Sequence, residues 1–181
     1  MPDRLPPNYD ALRVLRQHEG LRLNPYRCPA GKLTIGYGRN LDDAGISEEE
    51  AEAMLKADLS RARLKVTDAG FSRTNIGEAR FEALCMMVFQ LGSLRDWPRF
   101  VEYMDGVRSA PVWRTEETLP EVESFSRRHF SEKAADELLW KDGSTKQDRS
   151  DWWGQEGPAP NRCEQIASII RDNKLPESWI A

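Results

Sequence analysis

Residues 19–38 read EGLRLNPYRCPAGKLTIGYG, and the period of the chain changes inside this stretch. Upstream, Leu12, Leu15 and Glu19 recur at spacings of three and four, which predicts a helix from about Asn8 to Glu19. Asn8 or Asp10 is suited to cap it. The spacing puts Glu19 on the face that Leu12 and Leu15 would bury. Gly20 ends the helix, as glycine commonly does at the position after the last turn. From Leu21 the pattern alternates, with Leu21, Leu23 and Pro25 against Arg22, Asn24 and Tyr26. The turn signal Pro29-Ala30-Gly31 separates this run from Leu33-Thr34-Ile35-Gly36-Tyr37. The reading is a β-hairpin or the start of a small sheet, with Gly36 and Gly38 allowing a tight bend or a close backbone approach.

Outside this stretch the patterns are helical. Ser47-Glu48-Glu49-Glu50 is a capping box that opens a helix through Ala51, Met54, Leu55 and Leu59 to about Val66. Asn75 is placed to cap a helix over about 76–91, with Phe81, Leu84, Cys85, Val88 and Leu91 as its apolar stripe and Gly92 as its stop. Shorter helices are predicted over 97–104 and 132–140, and a last one from Pro160-Asn161 through Ile166, Ile169 and Ile170. Residues 106–128 lack periodicity, and 141–150 read as a surface loop. The fold class is α+β, mostly α, with one small sheet near the N-terminus.

Composition narrows the function. The chain has 181 residues and a formal charge of −4, which argues against general nucleic-acid binding. The charge is segregated: residues 1–40 sum to +4 and residues 41–59 to −6. The acids of the second block are explained by helix starts, whereas the basic block contains the hairpin. Three cysteines exclude a disulfide-built secreted scaffold. No apolar run reaches the length of a membrane span, and MPDRLPPNYD lacks the apolar core of a secretory signal. The expectation is a protein made in a reducing cytoplasm, without stable membrane association. No metal-ligand cluster or phosphate loop is present, so no cofactor is expected.

The chemistry points to the hairpin. A strand pair that folds back over the end of the first helix brings Cys28 and Thr34 near Glu19. A carboxyl held partly out of water can stay protonated and act as a general acid. That is half of a glycosidase site; the other half activates or replaces a water. The remaining polar candidates have plain readings. Cys85 lies in an apolar stripe and reads as core, Cys163 as packing, and His18 as solvent-facing. His129 has no assignment. Arg162 near a helix start is poorly placed for the helix dipole, so a specific anionic partner explains it better.

The segment resembles the catalytic hairpin of T4-type phage lysozymes, glycoside hydrolase family 24. Their motif is Glu, eight residues, Asp, five residues, Thr, with the Thr inside Thr-Ile-Gly-x-Gly. Here Glu19 and Thr34 fall on the Glu and the Thr, and Cys28 falls on the Asp. Met87-Val88-Phe89-Gln90-Leu91-Gly92 resembles the family's Met-Val-Phe-Gln-x-Gly helix, and Pro160-Asn161-Arg162 its Pro-Asn-Arg. The resemblance covers about residues 8–104 and 130–175. Residues 105–129 and 141–150 read as insertions.

The resemblance implies a single lysozyme-like domain: residues 1–70 as a catalytic lobe with a connecting helix, and 71–181 as a helical lobe. It implies an endolysin, a muramidase cutting the β-1,4 bond between N-acetylmuramic acid and N-acetylglucosamine. Glu19 would be the acid. Cys28 would position or deprotonate water, or attack the sugar, and Thr34 would hold the water. Arg162 would fix Glu19, while Phe89 and Gln90, with Tyr37 and Asn161 in support, would bind glycan. The partner is then the peptidoglycan strand, met by a monomer that waits in the host cytoplasm for a holin. A lytic transglycosylase and an inactive wall-binding protein are the alternatives.

Overall fold

The computed structural model describes residues 10–110, 112–113, 122–123, 125–139 and 162–180. The predicted start of the last helix at Pro160-Asn161, the loop 141–150 and the alternative cap Asn8 lie outside these residues. The chain divides into two compact units, Met1–Leu55 and Lys56–Ala181. The fold is α+β and mostly helical, with a small three-stranded antiparallel sheet in the N-terminal unit.

In the first unit, α1 (Ala11–Glu19) starts at Asp10, whose carboxylate accepts from the Leu12 N–H at 3.0 Å. The helix therefore begins later than Asn8, and Asp10 is its cap. The sheet has the order β1 (Arg22–Arg27), β2 (Leu33–Gly36), β3 (Arg39–Asn40). Tyr26 pairs with Thr34, and Arg22 with Gly36, with an irregularity between them. Pro25 sits in that irregular stretch, and an edge strand tolerates its missing N–H. Of the two forms expected, a hairpin or a sheet, the sheet forms, because β3 adds to β2 through Thr34–Asn40 and Ile35–Arg39. Asn40 then caps the short α2 (Leu41–Ala44). The Asp42 carboxylate accepts from the Leu33 N–H at 2.9 Å, and Lys32 pairs with Asp43 at 2.8 Å. The expected capping box at Ser47 is present: Glu50 N–H donates to Ser47 Oγ, and Ser47 N–H to the Glu50 carboxylate. It opens α3 (Glu48–Asp68).

Several expectations change in the second unit. The helix expected over about 76–91 is α5 (Glu78–Leu91), and a separate short helix, α4 (Arg73–Ile76), precedes it. Ser72, not Asn75, caps α4, and Asn75 closes the box from the third position. Gly77, at φ +94°, separates them because only glycine takes that angle without strain. The two middle helices are longer than their apolar patterns, at α6 (Pro98–Ser109) and α7 (Phe125–Leu139). Two short strands, β4 (Val112–Trp113) and β5 (Val122–Glu123), pair antiparallel in the stretch that lacked periodicity. The last helix, α8, runs over Arg162–Asp172.

The core belongs to the second unit and centres on α5. Phe81, Leu84, Cys85, Met87 and Val88 pack with Phe100 and Met104 of α6, Leu138 of α7, and Ile166 and Ile170 of α8. Arg80 is wholly buried among them. Its Nε donates to the Ile170 carbonyl at 2.6 Å and Nη2 to the Arg171 carbonyl at 3.1 Å. These are C-terminal carbonyls of α8 that no helical N–H can reach, so the guanidinium closes that helix end. No described helix is long and apolar enough to cross a membrane.

Removing the guanidinium leaves buried carbonyls without donors and opens a cavity. Arg80→Ala is expected to lower the unfolding free energy by about 3 kcal/mol. Urea titration of the variant checks this.

Candidate active site

The site in the first unit is built by two turns. The β1–β2 turn is closed by Cys28 N–H to the Lys32 carbonyl at 3.0 Å and by Gly31 N–H to the Cys28 carbonyl at 2.8 Å. Arg27 Nη1 braces it by donating to the Gly31 carbonyl at 2.8 Å. This places the Cys28 thiol, partly exposed, beside backbone N–H groups and the Thr34 hydroxyl. Hydrogen bonding to the backbone at Lys32 contributes most to holding the thiol below its usual pKa, and the Ala30 backbone and Thr34 hydroxyl add to it. Donors aimed at sulfur favour the thiolate. Thr34 is 3% exposed and its hydroxyl donates to the Lys32 carbonyl at 3.0 Å. It is the one buried residue among the described residues of this unit. Cys28 and Thr34 are thus brought together, as the sequence led us to expect.

The β2–β3 turn meets the end of α1. Gly38 has φ +84°, and a Cβ on it would lie 3.1 Å from Glu19 Oε2. Glu19, Tyr37 and Gly38 line a hollow of about 380 Å³ with Leu12, Leu15 and Arg16. Glycine serves here twice, for its backbone angle and for the absence of a side chain against the carboxylate.

Glu19 itself departs from expectation. Within this unit α1 buries nothing; Leu12 is 62% exposed, Leu15 52%, and Glu19 is exposed. The spacing correctly put the three residues along one hollow, but they form its wall rather than a covered face. No hydrogen bond ties Glu19 to Cys28 or Thr34 among the described residues.

The other candidates lie in the second unit. Arg162 Nη1 donates to Gln90 Oε1 at 3.2 Å, joining the start of α8 to the end of α5. Arg162 therefore has a neutral partner in Gln90. Phe89, one residue earlier, is 43% exposed. Asn161 lies outside the described residues. The remaining cysteines read as the sequence indicated. Cys85 is buried and its thiol is pushed up to about 12 by desolvation, while Cys163 Sγ donates to the Leu138 carbonyl at 3.0 Å. Among the described residues no group of His, Cys, Asp and Glu is arranged to hold a metal.

Comparison with known proteins finds similarity over the same part of the chain. Residues 16–98 match the phage lysozyme family. The match runs from α1 through the sheet and α5, so it includes Glu19, Cys28, Thr34 and Gln90 but not Arg162. The chain is also similar to an endolysin of Acyrthosiphon pisum secondary endosymbiont phage 1, at 33% identity over 85 residues. That alignment covers 45% of this chain and 56% of the relative, so the chain spans little more than half the length of the curated relative it matches. Sequence reasoning did not single out Gly38 for its contact with Glu19, although the Gly-x-Gly run carried the signal.

Two outcomes follow from the turns. Iodoacetamide should label Cys28 with a half-maximal rate at a pH below that of free cysteine, because the folded protein favours the thiolate. Cys85 should stay unlabelled until unfolding. Gly38→Ala should destabilise by about 1–2 kcal/mol from its backbone angle alone, read by thermal melting.

Proposed function

We propose that the chain is a muramidase of the phage endolysin type, cleaving the β-1,4 bond between N-acetylmuramic acid and N-acetylglucosamine. The observation that carries this reading is the pairing of two turns in one unit. One holds Gly38 against the Glu19 carboxylate, and the other holds an ionisable thiol at Cys28 beside Thr34. The phage lysozyme match over the same residues supports it.

In this reading Glu19, protonated, donates its proton to the glycosidic oxygen as the bond to the anomeric carbon breaks. Water attacks that carbon, and its proton passes to the Cys28 thiolate. The backbone donors of the β1–β2 turn favour the thiolate over the thiol, which suits a catalytic base. Thr34, fixed by its own hydrogen bond, orients the water. The role that the resemblance gives Arg162 is to steady the Glu19 carboxylate, with Gln90 holding the guanidinium. Phe89, Gln90 and Tyr37 contact glycan, with Asn161 in support. Residues 1–70 and 71–181 act as the lobes of a single lysozyme-like domain. The substrate is the peptidoglycan strand, the protein is a monomer, and it reaches the wall after a holin opens the host membrane.

Glu19→Gln keeps the shape of the side chain and removes its acid. It should lower turnover of purified peptidoglycan by about 10²–10⁴-fold, the range for a lost general acid. Full activity would sink the assignment. Cys28→Asp restores the carboxylate usual in the family and should keep turnover within about tenfold, a typical span for exchanging one competent base for another. Reducing-end release measures both.

A further inference from the structure

The second unit holds a hollow of about 470 Å³ at the ends of α3 and α5, within residues 65–95. Its volume lies in the range of small-ligand sites. Val88, 3% exposed, and Leu94, 8% exposed, supply an aliphatic floor. Three charged side chains line it: Lys65, Asp68 and Arg95.

These charges behave differently from those elsewhere on the surface. Opposite charges three apart pair with each other earlier in α3, as Arg61 does with Asp58, and in α6, as Arg108 does with Asp105. Lys65 and Asp68 have the same spacing but do not pair. Lys65 Nζ donates instead to the Gly92 carbonyl at 2.8 Å, which closes the C-terminus of α5 and leaves the ammonium two further N–H donors. Asp68 is left without an ionic partner, and so is Arg95, among the described residues. The Arg95 backbone is held, because its N–H donates to Ser93 Oγ at 3.0 Å. The hollow therefore presents two cations and one anion over a short apolar floor, on a backbone fixed by its own hydrogen bonds.

We propose that this hollow binds a small zwitterion, an amino-acid end with carboxylate and ammonium on a short aliphatic chain. Lys65 and Arg95 take the carboxylate, Asp68 takes the ammonium, and Val88 and Leu94 take the methylenes. The identification of that zwitterion rests on the proposed function: a peptidoglycan strand carries peptide stems whose diamino acid has this chemistry. The hollow would then recognise the stem while the hairpin works on the glycan.

The test uses the full chain, isotopically labelled, titrated with the tripeptide L-alanyl-D-isoglutamyl-meso-diaminopimelate. The expected result is saturable shifts in the amides of residues 65–69 and 92–95. Arg95→Ala and Asp68→Asn should each weaken Kd at least tenfold while the melting temperature and the cleavage of stem-free glycan stay at wild-type values. Equal binding of the tripeptide with its amine acetylated and its carboxylates amidated would overturn the proposal. So would shifts confined to other residues, or an unchanged Kd in both variants. A chain that cleaves glycan but ignores the tripeptide refutes this site alone; one that binds the tripeptide but cleaves nothing refutes the muramidase reading alone.

Discussion

The approach of the Gly38 backbone to the Glu19 carboxylate is the constraint around which the first unit is arranged. For the contact to form, α1 must end at Gly20, the strands must return antiparallel, and the β2–β3 turn must accept φ +84°. A side chain at position 38 would meet both an unfavourable backbone angle and the carboxylate oxygen. The same sheet sets the second half of the site. Thr34 is centred in β2, and pairing it with Tyr26 of β1 brings the Cys28 turn beside its hydroxyl.

In the proposed mechanism the two turns divide the chemistry. One positions a carboxyl that can give a proton; the other lowers the cost of a sulfur anion that can receive one. No buried ion pair is needed, since the donors around Cys28 are mainly backbone N–H groups fixed by turn geometry. Cys28 and Cys85 show the same side chain under opposite influences. Hydrogen-bond donors favour the thiolate at Cys28, whereas burial near Glu82 suppresses it at Cys85. The second unit provides most of the core, and its buried Arg80 joins α5 to the end of α8.

Much of this was legible in the sequence where local chemistry decides structure. The capping box at Ser47, the stop at Gly20, the turn at Pro29-Ala30-Gly31 and the strand at Leu33–Gly36 are set by residues close in the chain. Glu19, Cys28 and Thr34 could be singled out because their spacing is a property of one hairpin. What escaped depends on packing. The short helix α4 has too few residues to show an apolar period, and its cap, Ser72, lies three residues before the Asn75 that the sequence suggests. Helices α6 and α7 extend past their apolar patterns where they pack together, with the Phe130 ring of α7 against Gly106 of α6 and Val107 buried. The exposure of Leu12 and Leu15 could not be read from spacing, which gives a shared face but not what covers it.

The proposed reaction is hydrolysis of the glycan by a protonated Glu19 and an attacking water. Mass spectrometry of the muropeptides released from purified peptidoglycan tests it most directly, when the reaction is run in water enriched in oxygen-18. Hydrolysis is expected to give new N-acetylmuramic acid reducing ends carrying one oxygen-18 each. Products lighter by one water and free of label would show an intramolecular closure instead. The absence of any cleaved product would show a protein without hydrolytic turnover, and either result would contradict hydrolysis by Glu19.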